Sequence, residues 1–223
     1  MSISDHKALE IWDNSKLVVD GHYTMDIPFK AMEPNLADNY VMAERRLHLL
    51  GKRLERDKVL KPKYVSELNQ LLNKGYAEPV PQDDLHRADG KVWYLPHHPV
   101  LNPKKPEKCR IVFDCAAKHN GTSLNDVVHQ GPDLTNKLIG VLLRFRQGLI
   151  AFMADVESMY HQVKVTQKDR DVLRFLWFEN DDTKGRAITL RMTTLLLVVF
   201  GVQVVQTLLS NCWFGNIRQV TQM

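Results

Sequence analysis

In "DNYVMAERRLHLLGKRLERDK", which begins at Asp38, apolar residues recur at near-helical spacing. Val41, Leu47, Leu50 and Leu54 fall along one side with Arg and Lys opposite, which predicts an amphipathic helix. "PKYVSELNQLLNKGY" predicts a second helix, with Pro62 near its start and Gly75 placed to cap its C-terminus. Residues 1–36 are mixed and irregular. Within them only "DGHYTMDIPF" has the character of an element, a short strand entered through Gly21 and stopped by Pro28. Residues 1–80 therefore read as a helical lead-in.

At Pro79 the period changes. "KVWYLPHHPVL" and "CRIVFDCA" are strand-like runs separated by the Pro- and Lys-rich "NPKKPEK", so they predict a hairpin with positive charge at its tip. "QGPDLTNKLIGVLLRFRQG" predicts a helix with Pro132 and Asp133 at its start and Gly148 just past its end. "LIAFMADV" and "HQVKV" predict two strands and "RDVLRFLWF" a third, while "ENDDTKG" is a turn into "RAITLRM". Strands flank single helices without regular βαβ alternation, so the expected class is α+β.

Composition narrows this picture without redirecting it. A chain of 223 residues, 44% of them apolar, suits one domain or two small ones with a sizeable core, and excludes a disordered tail. The net charge of +4 permits a polyanionic partner without requiring one. Cys109, Cys115 and Cys212 are odd in number and scattered, and no signal peptide precedes them. A reduced intracellular, cytoplasmic setting is therefore expected rather than a disulfide scaffold. Asn120-Gly121-Thr122 has the form of a glycosylation sequon and reads as a turn. The apolar run 195–202 is followed by Gln203 and Gln206. It falls well short of the roughly 20 residues that a membrane-spanning helix needs, so no membrane partner is expected.

The residues with chemical potential cluster in "MADVESMYHQVKV". A carboxylate leaving an apolar strand beside a peptide carbonyl is a half-site for a hard divalent cation such as Mg2+, with Asp155 supplying the carboxylate and Val156 the carbonyl. Two such cations activate a 3′ hydroxyl and stabilise a departing pyrophosphate in phosphoryl transfer. Tyr160 follows where a flat ring can rest against a sugar. Lys108 and Arg110, two apart on one strand, share a face and suit the grip of a triphosphate. The same pattern also fits a strand-end aspartate capping a turn and a solvated Lys/Arg face. His97 and His98 with Cys109 and Cys115 do not make a zinc site, because they lack close Cys-x-x-Cys spacing and the histidines alternate across a strand. Trp93 and Tyr94 suit base stacking but read as core.

The stretch from "YLPHHPVLNPKKPEKCRIVFDCAAKHNGTSLNDVVHQGPDLTNKLIGVLLRFRQG" through "LIAFMADVESMYHQVKVTQKDRDVLRFLWF" resembles the fingers and first palm portion of a BEL/Pao-type retrotransposon reverse transcriptase. "DGHY", "LADNYVMAERRL" and "GYAEPVP" resemble the connector upstream of that polymerase, so the resemblance covers roughly residues 1–192. It implies an incomplete fingers/palm fold behind a connector (1–80, then 81–192), with Asp155 as first catalytic aspartate and metal ligand and Val156 lending its carbonyl. It also implies Tyr160 as steric gate, Lys108 and Arg110 as nucleotide-gripping residues, and Mg2+, an RNA or DNA template-primer and a deoxynucleoside triphosphate as partners.

The departures set the expected activity. Such polymerases complete the metal site with a later Tyr-x-Asp-Asp motif, which these 223 residues do not contain. Asp181-Asp182 lies in the polar "ENDDTKG" and reads as solvated turn charge. The expectation is a truncated polymerase fragment, inactive alone, with a non-catalytic nucleic-acid-binding module as the alternative and a membrane-associated protein as the remote one. Where the family continues into Gly-x-Thr-Ser-Ser-Pro, this chain reads "LLLVVFGVQVVQTLLSNCW". Codons permitted for Gly201 through Trp213, read from their third bases, can spell Gly-Thr-Ser-Ser-Pro without a stop. The divergent tail 193–223, from about residue 195, is therefore expected to be a frame-shifted translation.

Overall fold

The computed structural model describes residues 1–132, 138–147 and 157–196. The chain opens with a helix, α1 (Ile3–Ser15), where the sequence pattern predicted irregular structure. Only Ala8 and Trp12 of this helix are buried, so its apolar stripe is too thin to register as a period. Its start is fixed by a capping box: the Asp5 amide donates to Ser2 Oγ at 3.1 Å, and the Ser2 amide donates to Asp5 Oδ2 at 2.6 Å.

Two short strands follow, β1 (Leu17–Val19) and β2 (His22–Met25), paired antiparallel across Asp20-Gly21. Both turn residues have positive φ, 52° and 75°, the conformation a two-residue hairpin demands. α2 (Tyr40–Arg56) buries Ala43, Leu47, Leu50, Gly51 and Leu54. Val41, predicted to share that side, is 57% exposed: it stands about 180° around the helix from Leu50, while Tyr40 and Ala43 on either side of it pack inward. Gly51 sets how closely α2 approaches the sheet, since a Cβ there would stand 2.8 Å from the buried Phe178 ring. α3 (Leu60–Asn73) buries Leu60, Tyr64 and Leu68. It ends as predicted at Gly75, where the Tyr76 amide reaches back to the Leu71 carbonyl and the Gly75 amide to that of Leu72.

β3 (Ala77–Pro79) then enters a sheet with two later strands. The predicted hairpin is present as β4 (His97–Asn102) and β5 (Lys105–Phe113), although Trp93 to Pro96 run as loop into it. A single helical turn, α4 (Leu124–Val127), and α5 (Leu138–Phe145) follow, then β6 (Val163–Val165), β7 (Arg174–Phe178) and β8 (Ala187–Met192). The last three match predicted strands in shortened form, since His161-Gln162 and residues 167–173 adopt 3-10 turns instead. The start of the helix around Asp133, the Gly148 position, the strand "LIAFMADV" and the tail from residue 197 lie outside the described residues.

Among the described residues the strands form three small sheets, β1-β2-β6, β3-β8-β7 and β4-β5, in a mixed α+β fold. The segment 1–80 is not purely helical. β2 pairs in parallel with β6, and β3 pairs antiparallel with β8, so the lead-in supplies strands to sheets completed far downstream. On the other side of β6, the Val165 amide bonds to Thr193 O and the Leu195 amide to Val163 O, and Leu195 and Leu196 are buried. One continuous core runs through Tyr64, Trp93, Phe175, Trp177 and Phe178. No helix among the described residues is long and apolar enough to cross a membrane.

Candidate nucleic-acid interface

The β4-β5 hairpin carries the basic candidates. Asn102 Oδ1 accepts from the Lys104 amide at 2.9 Å and closes the tip as an Asx turn. The register then shifts: Leu101 pairs with Cys109 while Asn102 pairs with Lys105, so Pro106, Glu107 and Lys108 bulge from the ladder. Lys63 of α3 braces this bulge by donating to the Pro106 carbonyl at 2.9 Å.

Past the bulge, alternation sorts the side chains. Cys109 and Phe113 are buried and Arg110 is exposed, whereas Lys108, also exposed, is the last residue of the bulge, so strand alternation alone does not place it on the face of Arg110 as predicted. Val100 stands across from Arg110 and is 43% exposed, so apolar surface lies beside the charges. None of Lys104, Lys105, Lys108 and Arg110 forms an ion pair among the described residues. Glu107 is the one acid of the tip. Such a face can take phosphates from one strand while its apolar positions meet sugar or base edges.

The other site candidates sit elsewhere. Tyr160 belongs to the 3-10 turn Met159–Gln162, entered through Ser158 in a left-handed conformation (φ 50°). It is half-buried against the core, and burial raises its hydroxyl above the usual tyrosine range. Next to it, His161 stacks on Tyr76 with ring centroids 4.5 Å apart and shares a hydrogen bond with Thr194 Oγ1. Burial, with Lys74 assisting, lowers its pKa to about 4. Asp155 and Val156, the proposed metal ligands, lie outside the described residues. Among the described residues no group of three or more His, Cys, Asp or Glu could hold a metal ion.

Two readings of individual residues need correction or extension. Asp181 is not merely solvated turn charge: its carboxylate accepts from Trp177 Nε1 at 2.7 Å and from Asn69 Nδ2 at 3.1 Å, tying the turn to β7 and α3. Asp182 is exposed, as expected. His97 and His98 do point to opposite sides, and His97 is a core residue, its Nε2 donating to Leu176 O at 2.9 Å and its Nδ1 accepting from Tyr64 Oη at 2.5 Å. Trp93 and Tyr94 are buried, as core aromatics. Cys109 and Cys115 are buried free thiols, the latter pushed up to about 12 by burial and by Asp114. Asn120 and Gly121 form a tight turn closed by His119 and Thr122.

Sequence reasoning missed a buried ionic cluster. Asp171 accepts from Arg174 Nε at 3.0 Å, Arg191 Nη1 at 3.0 Å and Arg87 Nη1 at 2.8 Å. Arg191 also meets Glu78 at 2.8 Å and Asp84 at 3.0 Å. These contacts join β3, β7, β8, the 3-10 turn 167–173 and residues 82–89. The only signal available was charge recurring inside strands that otherwise read as core.

No family model and no curated protein matches the chain. Among solved structures it is similar to a foamy viral protease-reverse transcriptase in complex with double-stranded DNA. The identity is 18% and the TM-score 0.41, over 60% of this chain and 19% of that one. The chain thus spans about a fifth of that protein's length, and a likeness of this degree fixes neither a family nor an activity.

Proposed function

We propose that the chain is the fingers and leading palm portion of a BEL/Pao-type reverse transcriptase, and that by itself it holds nucleic acid through the β4-β5 hairpin without transferring nucleotides. The observation that carries the binding half is the exposure of Lys104, Lys105, Lys108 and Arg110 on one hairpin, with Glu107 the one acid among them and no ion pair to any of the four among the described residues. The polymerase half rests on the sequence motifs around Asp155 and Tyr160.

Phosphate contacts release condensed counterions, so affinity falls steeply with salt, with a slope near −0.7 per contact on single strands. Replacing Lys104, Lys105, Lys108 and Arg110 together by alanine is therefore expected to lower affinity for single-stranded nucleic acid and to flatten the log–log salt slope by up to about 3. A titration at several salt concentrations reads this directly, and an unchanged slope removes the hairpin from the interface.

In the proposed parent chemistry, Asp155 and the Val156 carbonyl would hold Mg2+, which would supply charge neutralisation at the transferring phosphate. Tyr160 would sit against the sugar and Lys108 with Arg110 would hold the triphosphate, the guanidinium bidentately. These 223 residues contain no Tyr-x-Asp-Asp motif to join Asp155, and one carboxylate does not hold two cations in line. The chain alone is accordingly expected not to extend a primer on RNA or DNA with magnesium or manganese. Template-dependent incorporation that disappears in Asp155→Asn would overturn that expectation.

A further inference from the structure

The strand β1 is an edge. β2 lies on one side of it, and among the described residues no strand pairs on the other. Its three residues are all apolar and all open to solvent, Leu17 to 61%, Val18 to 65% and Val19 to 45%. Successive side chains of a strand point to opposite faces, and usually one face is covered. Here neither is. Edge strands are commonly protected by a charge, a proline or a bulge, and β1 carries none of these within it.

The hairpin geometry shows which main-chain groups are free. Across a two-residue loop the closing residues exchange both hydrogen bonds, so Val19 pairs in this way with His22, and Leu17 with Thr24 two residues along. Val18, opposite Tyr23, falls at the intervening non-hydrogen-bonded position, where its N–H and C=O face the open edge. Its neighbours on that edge are restricted. The Lys16 amide is committed to the Trp12 carbonyl at 2.8 Å as α1 ends, and Asp20 leaves the strand direction with φ 52°. An added strand is therefore centred on Val18.

A second copy of β1 meets these conditions. When two copies run antiparallel about a twofold axis at Val18, the two Val18 residues exchange both hydrogen bonds. Leu17 of each copy then lies opposite Val19 of the other, and Lys16 comes level with Asp20 of the other at both ends. Opposite charges facing each other across strands favour a register, and like charges oppose it. Both partners are available. Lys16 meets only Asp13 of its own copy, at 3.4 Å between side chains 36% and 74% exposed, an exposed pair of little strength. Asp20 forms no ion pair among the described residues. A slip by two residues would set Val18 against the committed Lys16 amide or the turned Asp20, so the centred register is the one that suits the edge.

We propose that two copies of the chain associate through β1, pairing antiparallel at Val18 with Lys16 and Asp20 in reciprocal contact. The β1-β2-β6 sheet becomes continuous across the pair, and the contact is independent of the β4-β5 hairpin and of the nucleic-acid reading. It is small beside the roughly 1,200–2,000 Å² of a stable interface. The dimer is accordingly weak and reversible, with an expected Kd above about 10 μM.

Sedimentation velocity on the full chain from about 5 to about 500 μM is expected to show a monomer passing to a dimer. Val18→Pro removes an N–H that faces outward, so it should keep the β1-β2 hairpin and lose the dimer. Val18→Cys sets the paired residues about 5.5 Å apart between Cα atoms, within disulfide reach, so mild oxidation should join two chains through residue 18. Lys16→Glu and Asp20→Lys each turn both attractions into repulsions, and each is expected to weaken self-association about tenfold or more. Mixed in equal amounts, the two variants face each other with opposite charges at both ends and are expected to recover the parental affinity. That recovery separates a defined register from loss of folding and from unspecific apolar association. A chain that stays monomeric throughout would overturn the proposal. So would dimerisation untouched by Val18→Pro and Lys16→Glu, as expected if copies met through the exposed apolar residues of α5, or charge variants that do not rescue each other.

Discussion

Asp171→Ala is expected to destabilise the chain by about 3–5 kcal/mol, the cost of removing one partner from a buried ionic cluster. The side chains of Asp171, Arg174 and Arg191 are exposed to 1%, 0% and 3%. With the carboxylate gone, Arg191 keeps Glu78 and Asp84. Arg174 keeps only neutral acceptors, the Asp84 carbonyl at 2.5 Å, Tyr94 Oη at 3.3 Å and the Leu85 carbonyl at 3.5 Å, beneath the Tyr94 ring. A buried guanidinium without a counter-charge is the expensive species. Asp171→Asn keeps an acceptor oxygen and loses the charge, so it should fall between wild type and alanine. Burial opposes ionisation of Asp171, but Arg174 and the hydrogen bonds from Arg191, Arg174 and Arg87 outweigh it and hold the carboxyl below the usual range. Its contribution is therefore complete above the unfolded value, about pH 4, and is lost as pH falls further. Urea unfolding at pH 7 measures the first effect. A loss under about 1 kcal/mol would mean that water screens the cluster as it does a surface pair.

That cluster also shows where sequence reading stops. A pattern of apolar and polar positions treats charge as a mark of solvent, so Arg174 and Arg191 at strand positions carry no hint that they point inward toward one aspartate. The hairpin was legible for the opposite reason: its Pro- and Lys-rich tip and two β-rich runs are local, whereas the bulge that takes Lys108 out of the ladder gave no such signal. α2 and α3 were legible from their apolar period, with Val41 misassigned because its spacing from Leu50 puts it on the opposite face, where Ala43 rather than Val41 continues the buried stripe. α1 and β1 were missed although short-range signals existed, a Ser-x-x-Asp cap at Ser2 and the Asp20-Gly21 turn dipeptide. The parallel pairing of β2 with β6 had no local signal, since the two partners are specified only by what the intervening chain brings together.

A second pH window, separate from that of Asp171, is expected from His97. Its ring is enclosed by Tyr64, Phe113, Phe175 and Trp177, and both nitrogens are engaged, Nε2 with Leu176 O and Nδ1 with Tyr64 Oη. An N–H on Nε2 is required to donate to the carbonyl, which leaves Nδ1 of the neutral ring to accept from the tyrosine. Burial lowers the pKa to about 4, opposed by the Leu176 hydrogen bond and assisted by His98. An unfolded histidine titrates near 6.5. Above that value both states are neutral and stability is complete. Between about 6.5 and 4 the unfolded chain takes up a proton that the folded chain refuses, so stability declines with falling pH by up to about 1.4 kcal/mol per unit, roughly 3 kcal/mol in all. His161, lowered to about 4 by its own burial, adds in the same direction. His97→Gln retains a donor for Leu176 and an acceptor for Tyr64 without titrating. It is expected to be modestly less stable at pH 7 and to lose much of the slope between pH 6.5 and 4.5. Urea midpoints of both proteins across that interval provide the measurement. A wild-type midpoint that stays level down to pH 4.5 would show that His97 accepts a proton in the folded chain and that the ring is not sealed in the core.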